Sequence, residues 1–285
     1  MKKLLFSLTV LMLLLIPGTS ISKSNVPETI VITGDNLLTL SGEVNGDSVG
    51  PIIMRAKELD AKLSSGKITH DHTTPLYLYI NSPGGSVQSG LEMIEALKGL
   101  GRPVHTITAF GASMAWQTVQ NLDERYVLKS GILMSHRAAG QFSGSFGGTA
   151  PSQLDSRVRL WTQITKEMDE ATVARTNGKQ TLSSYQADYS PELWVTGQEA
   201  VNQGYADAVV KVKCGKDLTG TTKHETEFLG LPVSYELDAC PLNSSPMNIH
   251  FGFIFGVSQD YIDRVKEQFL SGYQMKMSTP LPLVF

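Results

Sequence analysis

The chain has 285 residues, of which 41% are hydrophobic and 26 are glycine. This composition favours one packed α/β domain with many turns plus appendages, because a single α/β domain of about 200–250 residues is ordinary. With 24 Lys and Arg against 27 Asp and Glu, the formal net charge is −3. Such a chain has no basic field, so we do not expect nucleic acid as a partner.

Residues 1–22 have the pattern of an export signal. Two lysines precede the apolar run Leu4–Ile16, and the segment ends in the small-x-small sequence Ser20-Ile21-Ser22. The run is shorter than the ~20 residues that a membrane-spanning helix needs. We therefore expect cleavage near Ser22 and export to a periplasm or the extracellular space, with a retained N-terminal anchor as the alternative.

The next part of the chain alternates strand and helix patterns. The predicted strands are Thr29–Thr33, Leu37–Leu40, Leu76–Ile80, Val104–Thr108, Val127–Leu128 and Ile132–Met134. The predicted helices are Asp47–Lys62, with Asp47 as the N-cap, Ser86–Leu97 and Ser113–Gln120. This order predicts βαβ units with right-handed crossovers, in which sites lie at the carboxyl ends of the parallel strands.

Two short segments and one histidine point to serine chemistry. The segment Tyr79–Ser86 reads Tyr-Ile-Asn-Ser-Pro-Gly-Gly-Ser, and its glycines let backbone N–H groups approach a ligand. The segment Gly111–Ala115 reads Gly-Ala-Ser-Met-Ala, which places a serine on a tight turn before a helix. His136 follows an apolar strand and would alone have a structural role. The glycine-rich loop upstream favours a serine–histidine pair instead.

These residues closely resemble the Clp-type serine peptidases over about Glu28 to Val212. The resemblance implies that Ser113 is the nucleophile, that His136 is the base, and that the backbone amides of Gly85 and Met114 form the oxyanion hole. It implies an α/β fold of the ClpP/crotonase-like type, with stacked ββα units and a protruding handle helix. It implies no metal or nucleotide cofactor.

The third member of the triad departs from the family pattern. When the segment Trp194–Ala200 is aligned with the family's aromatic-x-Ser/Thr-x-x-Glu-Ala stretch, Glu192 takes the place of the usual aspartate. Glutamate can fill this role, since the imidazole needs only a carboxylate acceptor that fixes its tautomer. Asp188 is the alternative.

A long amphipathic helix is predicted over Gln153–Thr176, before the cap pair Asn177-Gly178. The Gly/Ser-rich segment Gln141–Pro151 that precedes it is expected to be mobile. In the Clp family the corresponding helix interlocks two stacked rings, so the resemblance implies a homo-oligomer. The alternative is that the apolar face of this helix packs on its own sheet.

The sequence divides into a signal segment (1–22), a catalytic domain (23–212) and a C-terminal extension (213–285). The extension contains the chain's two cysteines, Cys214 and Cys240. We expect them to form a disulfide, which would contribute ~3.5 kcal/mol in the chain-entropy model; two unpaired thiols are the alternative. Tyr261–Phe269 is predicted to be a short helix, and no chemical role is assigned to the extension.

The expected function is that of a serine endopeptidase acting on peptides or unfolded chains. Because an exported protein has no ATP around it, we expect no ATP-driven unfoldase as a partner. Three alternatives belong to other classes. They are a catalytically silent oligomeric scaffold, a crotonase-type acyl-CoA enzyme, and a membrane-associated relative of signal peptide peptidase A with Lys129 as the base.

Overall fold

A computed structural model describes residues 28–65, 73–138, 150–243, 247–252 and 258–278. The export signal, His70, His72 and residues 141–149 of the Gly/Ser-rich segment lie outside the described residues. The strands are β1 (Thr29–Ile32), β2 (Leu37–Val44), β3 (Leu76–Gly85), β4 (Val104–Ala112), β5 (Arg125–His136), β6 (Glu192–Thr196), β7 (Ala208–Cys214), β8 (Thr221–Phe228), β9 (Leu231–Asp238) and β10 (Met247–Phe251). The helices are α1 (Gly46–Ser64), α2 (Val87–Lys98), α3 (Met114–Asn121), α4 (Ala150–Ala174), α5 (Leu182–Asp188), α6 (Gly197–Gln203) and α7 (Gln259–Ser278).

The larger sheet is mostly parallel, with the strand order β1-β7-β5-β4-β3-β2. The strands β2 to β5 are parallel neighbours in chain order, and α1, α2 and α3 connect them. Strand β6 pairs antiparallel with β5. The carboxyl ends of β3, β4 and β5 therefore meet at one edge of the sheet, and the expected α/β fold is confirmed.

Two apolar clusters hold the sheet. The larger one lies between the sheet and its helices and includes Leu59, Leu97 and Trp116. The smaller one joins Ile32 of β1 to Tyr79 and Tyr126. Although β1 and β2 are at opposite ends of the strand order, a tight turn closed by the Leu37 N–H on the Thr33 carbonyl (3.0 Å) connects them. The sheet is therefore curled, and the smaller cluster lies inside the curl.

Three local expectations are corrected. The N-cap of α1 is Asn45, whose side chain accepts a hydrogen bond from the Ser48 N–H, while Asp47 lies inside the first turn. Strand β3 continues past Ile80 to Gly85, because it stays paired with β2. The two short strands expected over 127–134 are parts of β5, which remains one strand because a register shift in its ladder with β4 absorbs residues 129–131.

Helix α4 projects from the domain in its first half and packs in its second. Every side chain from Leu154 to Leu160 is exposed. Asp169 and Thr172 are buried, and α4 contacts α3 and α5. The helix ends before Asn177 (φ 54°) and Gly178 (φ 78°), both in the left-handed region as the predicted cap pair requires. The second half of the helix thus packs within its own domain, against α3 and α5 rather than directly on the sheet, while the side chains from Leu154 to Leu160 stay exposed.

The C-terminal extension forms a small unit of its own. Strands β8, β9 and β10 make an antiparallel sheet. Helix α7, which is longer than the expected Tyr261–Phe269, buries Val265, and Phe269 contacts the rings of Phe228, Tyr235 and Phe251. A disulfide joins Cys214, at the end of β7, to Cys240, just after β9. No helix in the described part of the chain is long and apolar enough to cross a membrane.

Candidate active site

Ser113 occupies the sharp turn between β4 and α3. Its backbone has φ 56° and ψ −117°, which is a left-handed conformation that a residue with a Cβ rarely adopts. The Ser113 N–H donates to the Met134 carbonyl of β5 (3.0 Å), which ties the turn to the neighbouring strand. A strained strand-to-helix turn that exposes the serine oxygen is typical of nucleophilic serines.

His136 is the last residue of β5, and its Nε2 lies 2.7 Å from the Ser113 Oγ. The two side chains meet because Ala112 of β4 is in register with Met134 of β5. Ser113 comes one residue after Ala112, and His136 comes two residues after Met134. The end of β5 is also held by Ser135, the residue before His136, whose Oγ shares a 2.6 Å hydrogen bond with the Tyr185 hydroxyl of α5.

The electrostatic surroundings keep the His136 imidazole neutral. Burial lowers the pKa of His136 below its ordinary value of 6.5, and the nearby Glu192 carboxylate raises it in part. Burial dominates, so the ring is neutral at pH 7. A neutral imidazole at hydrogen-bond distance from a hydroxyl can accept its proton.

Glu192 lies directly opposite His136 in the antiparallel β5–β6 ladder. Its Oε2 accepts a 2.8 Å hydrogen bond from the Trp194 indole Nε1–H. Within the described part of the chain, no side-chain hydrogen bond joins Glu192 to His136. Asp188 instead ends α5 as an exposed residue. The structure thus brings Glu192, and not Asp188, opposite the histidine.

The glycine-rich end of β3 packs against the Ser113 turn. The Gly84 N–H donates to the buried Ser82 Oγ (3.1 Å), so this side chain helps to shape the loop. A Cβ on Gly84 (φ 93°) would lie 2.5 Å from the Ala112 carbonyl oxygen and 2.7 Å from the Met114 backbone nitrogen. Only glycine fits there. The exposed Gly85 follows it, so the two amides expected to form the oxyanion hole belong to segments in direct contact.

The amino-acid sequence alone does not identify the structural roles of Gly84 and Trp194. The paired glycines are a signal for a close approach of two backbones, although they do not show which glycine makes it. Trp194 appeared only as the aromatic position of a family pattern. The hydrogen bond from Trp194 to Glu192 depends on the conformations of the two side chains, which cannot be read from the sequence.

Lys129 lies outside this cluster. It is exposed in the middle of β5, and its backbone carbonyl packs against Gly197 at the start of α6. The residue at hydrogen-bond distance from Ser113 is His136. The geometry therefore does not favour a serine–lysine arrangement.

A groove of about 660 Å³ lies between the residues that follow β5 and the helices α4 and α5. Its lining includes Arg137 and Ala138, which directly follow His136 in the sequence. Its walls include apolar and polar side chains from the two helices: Val158, Trp161, Thr162, Thr165, Lys166, Asp169, Leu182, Gln186 and Tyr189.

Comparison with known proteins decides the family. The family model described as Clp protease matches residues 56–213, which is more than half of the chain. The chain belongs to the Clp protease family. Among its relatives, the ATP-dependent Clp protease proteolytic subunit of Ligilactobacillus salivarius is 30% identical over 182 residues, covering 63% of this chain and 85% of the relative. The protein of the same name from Streptococcus agalactiae is 26% identical over 180 residues, covering 62% and 85%.

A third relative, the ATP-dependent Clp protease proteolytic subunit 1 of Leifsonia xyli, is 29% identical over 178 residues, covering 61% of this chain and 83% of the relative. The expected family is confirmed, and so is the expected class of enzyme, a Clp-type peptidase. The roles of the individual residues stay a prediction.

Proposed function

We propose that this chain hydrolyses peptide bonds with Ser113 as the nucleophile and His136 as the general base. The observation that carries the proposal is the 2.7 Å distance between the His136 Nε2 and the Ser113 Oγ on a strained strand-to-helix turn. The Ser113 Oγ attacks the scissile carbonyl while His136 takes its proton. His136 then protonates the leaving amine, and water hydrolyses the acyl-enzyme.

Two further groups support this reaction. The Gly85 and Met114 amides would donate hydrogen bonds to the developing oxyanion, and losing one such donor typically costs roughly 10²–10³ in rate. Glu192, opposite His136, would stabilise the imidazolium and fix its tautomer.

The working form is proposed to be a homo-oligomer. The exposed first half of α4 presents Leu154, Val158 and Leu160, whose exposed fractions are 38%, 50% and 57%. Leu154 and Val158 are four residues apart and so share one face of the helix, and large apolar residues exposed on one face are typical of an association surface. The relatives are named proteolytic subunits, which supports assembly.

The protein is proposed to be exported and to act without an ATP-driven partner. The disulfide between Cys214 and Cys240 supports an oxidising compartment, as does the signal pattern of residues 1–22. The relatives are named ATP-dependent, so the proposal that this chain acts without ATP sets it apart from them. Peptides and already unfolded chains are substrates that need no unfolding step.

Covalent labelling tests the proposed nucleophile. Purified full-length protein is treated with a fluorophosphonate, and the modified residue is mapped by mass spectrometry. We expect the label on Ser113, and no label or peptide hydrolysis in Ser113→Ala, which keeps a Cβ and so keeps the turn. Ser130→Ala, at an exposed serine of β5, is the matched control and should react like the wild type. A wild-type protein that takes no label would instead be a catalytically silent scaffold.

A further inference from the structure

One hydrogen bond at the site is not accounted for by the serine–histidine chemistry itself. The Trp194 Nε1–H donates to the Glu192 Oε2 at 2.8 Å. The two residues are two positions apart on β6, so their side chains lie on the same face of the sheet. This bond occupies one oxygen of the carboxylate that faces His136.

The indole is itself held in place. Its ring stacks on Phe110 of β4, with centroids 6.4 Å apart and an interplanar angle of 26°. Trp194 is nonetheless 40% exposed. A buried indole N–H needs a protein partner, whereas an exposed one can be solvated by water, so burial does not dictate the bond to Glu192.

Glutamate has a particular need for such a bond. Its carboxylate lies at the end of a longer side chain than that of aspartate, and fixing that side chain costs rotamer entropy. A hydrogen bond to Oε2 fixes the carboxylate and leaves Oε1 for the imidazole. A bond from a neutral N–H to a carboxylate is charge-assisted and stronger than a neutral pair.

We infer that Trp194 is a positioning residue for catalysis, holding the Glu192 carboxylate toward His136 through its indole N–H. The inference rests on the proposed function, because Trp194 acts through Glu192. Phe110 supports the indole by stacking on its ring. The ring alone is not sufficient, since the donor is the nitrogen.

The variant Trp194→Phe tests the inference by removing the N–H and keeping an aromatic ring. With Glu192 present, kcat should fall about tenfold and KM should stay within about twofold, because the lost bond acts on the carboxylate and not on the substrate. In the Glu192→Asp background, the same substitution should change kcat less than about twofold, since the shorter carboxylate does not depend on the indole. A merely structural tryptophan would cost the same in both backgrounds.

Rates are expressed per active site titrated with fluorophosphonate, and thermal unfolding of each variant separates loss of folding from loss of rate. An equal effect of Trp194→Phe in the two backgrounds, or no effect in either, overturns the inference. Labelling of Ser113 in the wild type is independent of Trp194, so in that case the proposed function still stands. A wild type that neither takes the label nor hydrolyses peptides overturns both.

Discussion

The protonation of His136 is governed by two opposing influences on one ring. Burial lowers its pKa, and the Glu192 charge raises it. Because the base must be neutral to accept the Ser113 proton, activity should rise with pH through a pKa below 6.5. The site is therefore expected to be active at neutral and mildly acidic pH.

Replacing the carboxylate changes both the rate and the pH profile. In Glu192→Gln the charge that raises the His136 pKa is gone, so that pKa falls further and the acid limb of kcat/KM moves to lower pH. The value of kcat should fall on the order of 10²–10⁴-fold through the wrong imidazole tautomer. A pH series of peptide hydrolysis measures both effects.

Asp188→Asn is the matched control for that substitution, since it neutralises the carboxylate that is the alternative third member of the triad. Asp188 ends α5 and is exposed, so the change should be mild. A large loss of rate in Asp188→Asn together with a mild effect of Glu192→Gln would show that the triad carboxylate had been assigned to the wrong residue.

Residue identities were the part of the site most readily predicted. Ser113 and His136 follow apolar strands in recognisable short segments, and β4–β5 pairing then brings them together. The contact of Gly84 with the Ser113 turn and the bond from Trp194 to Glu192 were not predictable in this way. The Gly84 contact depends on how β3 approaches the turn after β4, and the bond between Trp194 and Glu192 depends on the side-chain conformations of two residues on β6, so neither leaves a local pattern.

At the scale of elements, periodicity predicts the central helices and strands, but several of their ends differ in the structure. Two residues near the start of α1, Asn45 and Asp47, are both of a good N-cap type, and it is Asn45 whose side chain accepts the hydrogen bond from the Ser48 N–H. Polar residues 129–131 interrupt the apolar pattern of β5, yet the ladder with β4 shifts register and the strand continues. Pairing overrode local pattern at that position.

A buried ion pair links several of these elements. The side chain of Arg125, at the start of β5, is 1% exposed and lies 2.6 Å from the Asp207 carboxylate. It also donates to the Gln120 side chain (2.8 Å) and to the Arg175 carbonyl (2.9 Å). This one guanidinium therefore connects α3, the segment after α4 and the segment before β7.

Removing Asp207, the carboxylate partner of Arg125, should destabilise the fold. Asp207→Ala leaves the Arg125 guanidinium buried without its counter-charge, and the free energy of unfolding should fall by about 3 kcal/mol. Urea unfolding measures this change. Glu58→Ala, which removes an exposed partner of Arg55 on α1, is the control and should have little effect. Equal stability of Asp207→Ala and wild type would mean that the network does not hold these elements together.

At the scale of the whole molecule, a family catalytic domain is joined to a C-terminal unit with its own sheet and apolar cluster. The sequence predicted the cysteine pairing but not this unit, because its strands are short and largely exposed and give a weak alternating pattern. The disulfide ties the end of β7 to the chain after β9, and the Gly34 N–H donates to the Asp217 carboxylate (2.6 Å). The unit is thus attached at the curled edge of the catalytic sheet.

Export predicts a particular covalent form of the mature chain. Intact-mass analysis of protein isolated from its native host under non-reducing conditions should show loss of the first ~22 residues, and two fewer hydrogens than the dithiol form, because Cys214 and Cys240 are joined. Reduction followed by alkylation should add two alkyl groups, whereas alkylation without reduction should add none. A full-length N-terminus with two freely alkylated thiols would place the protein in a reducing compartment. ATP would then be present in the same compartment, and the argument for hydrolysis without an ATP-driven unfoldase would no longer hold.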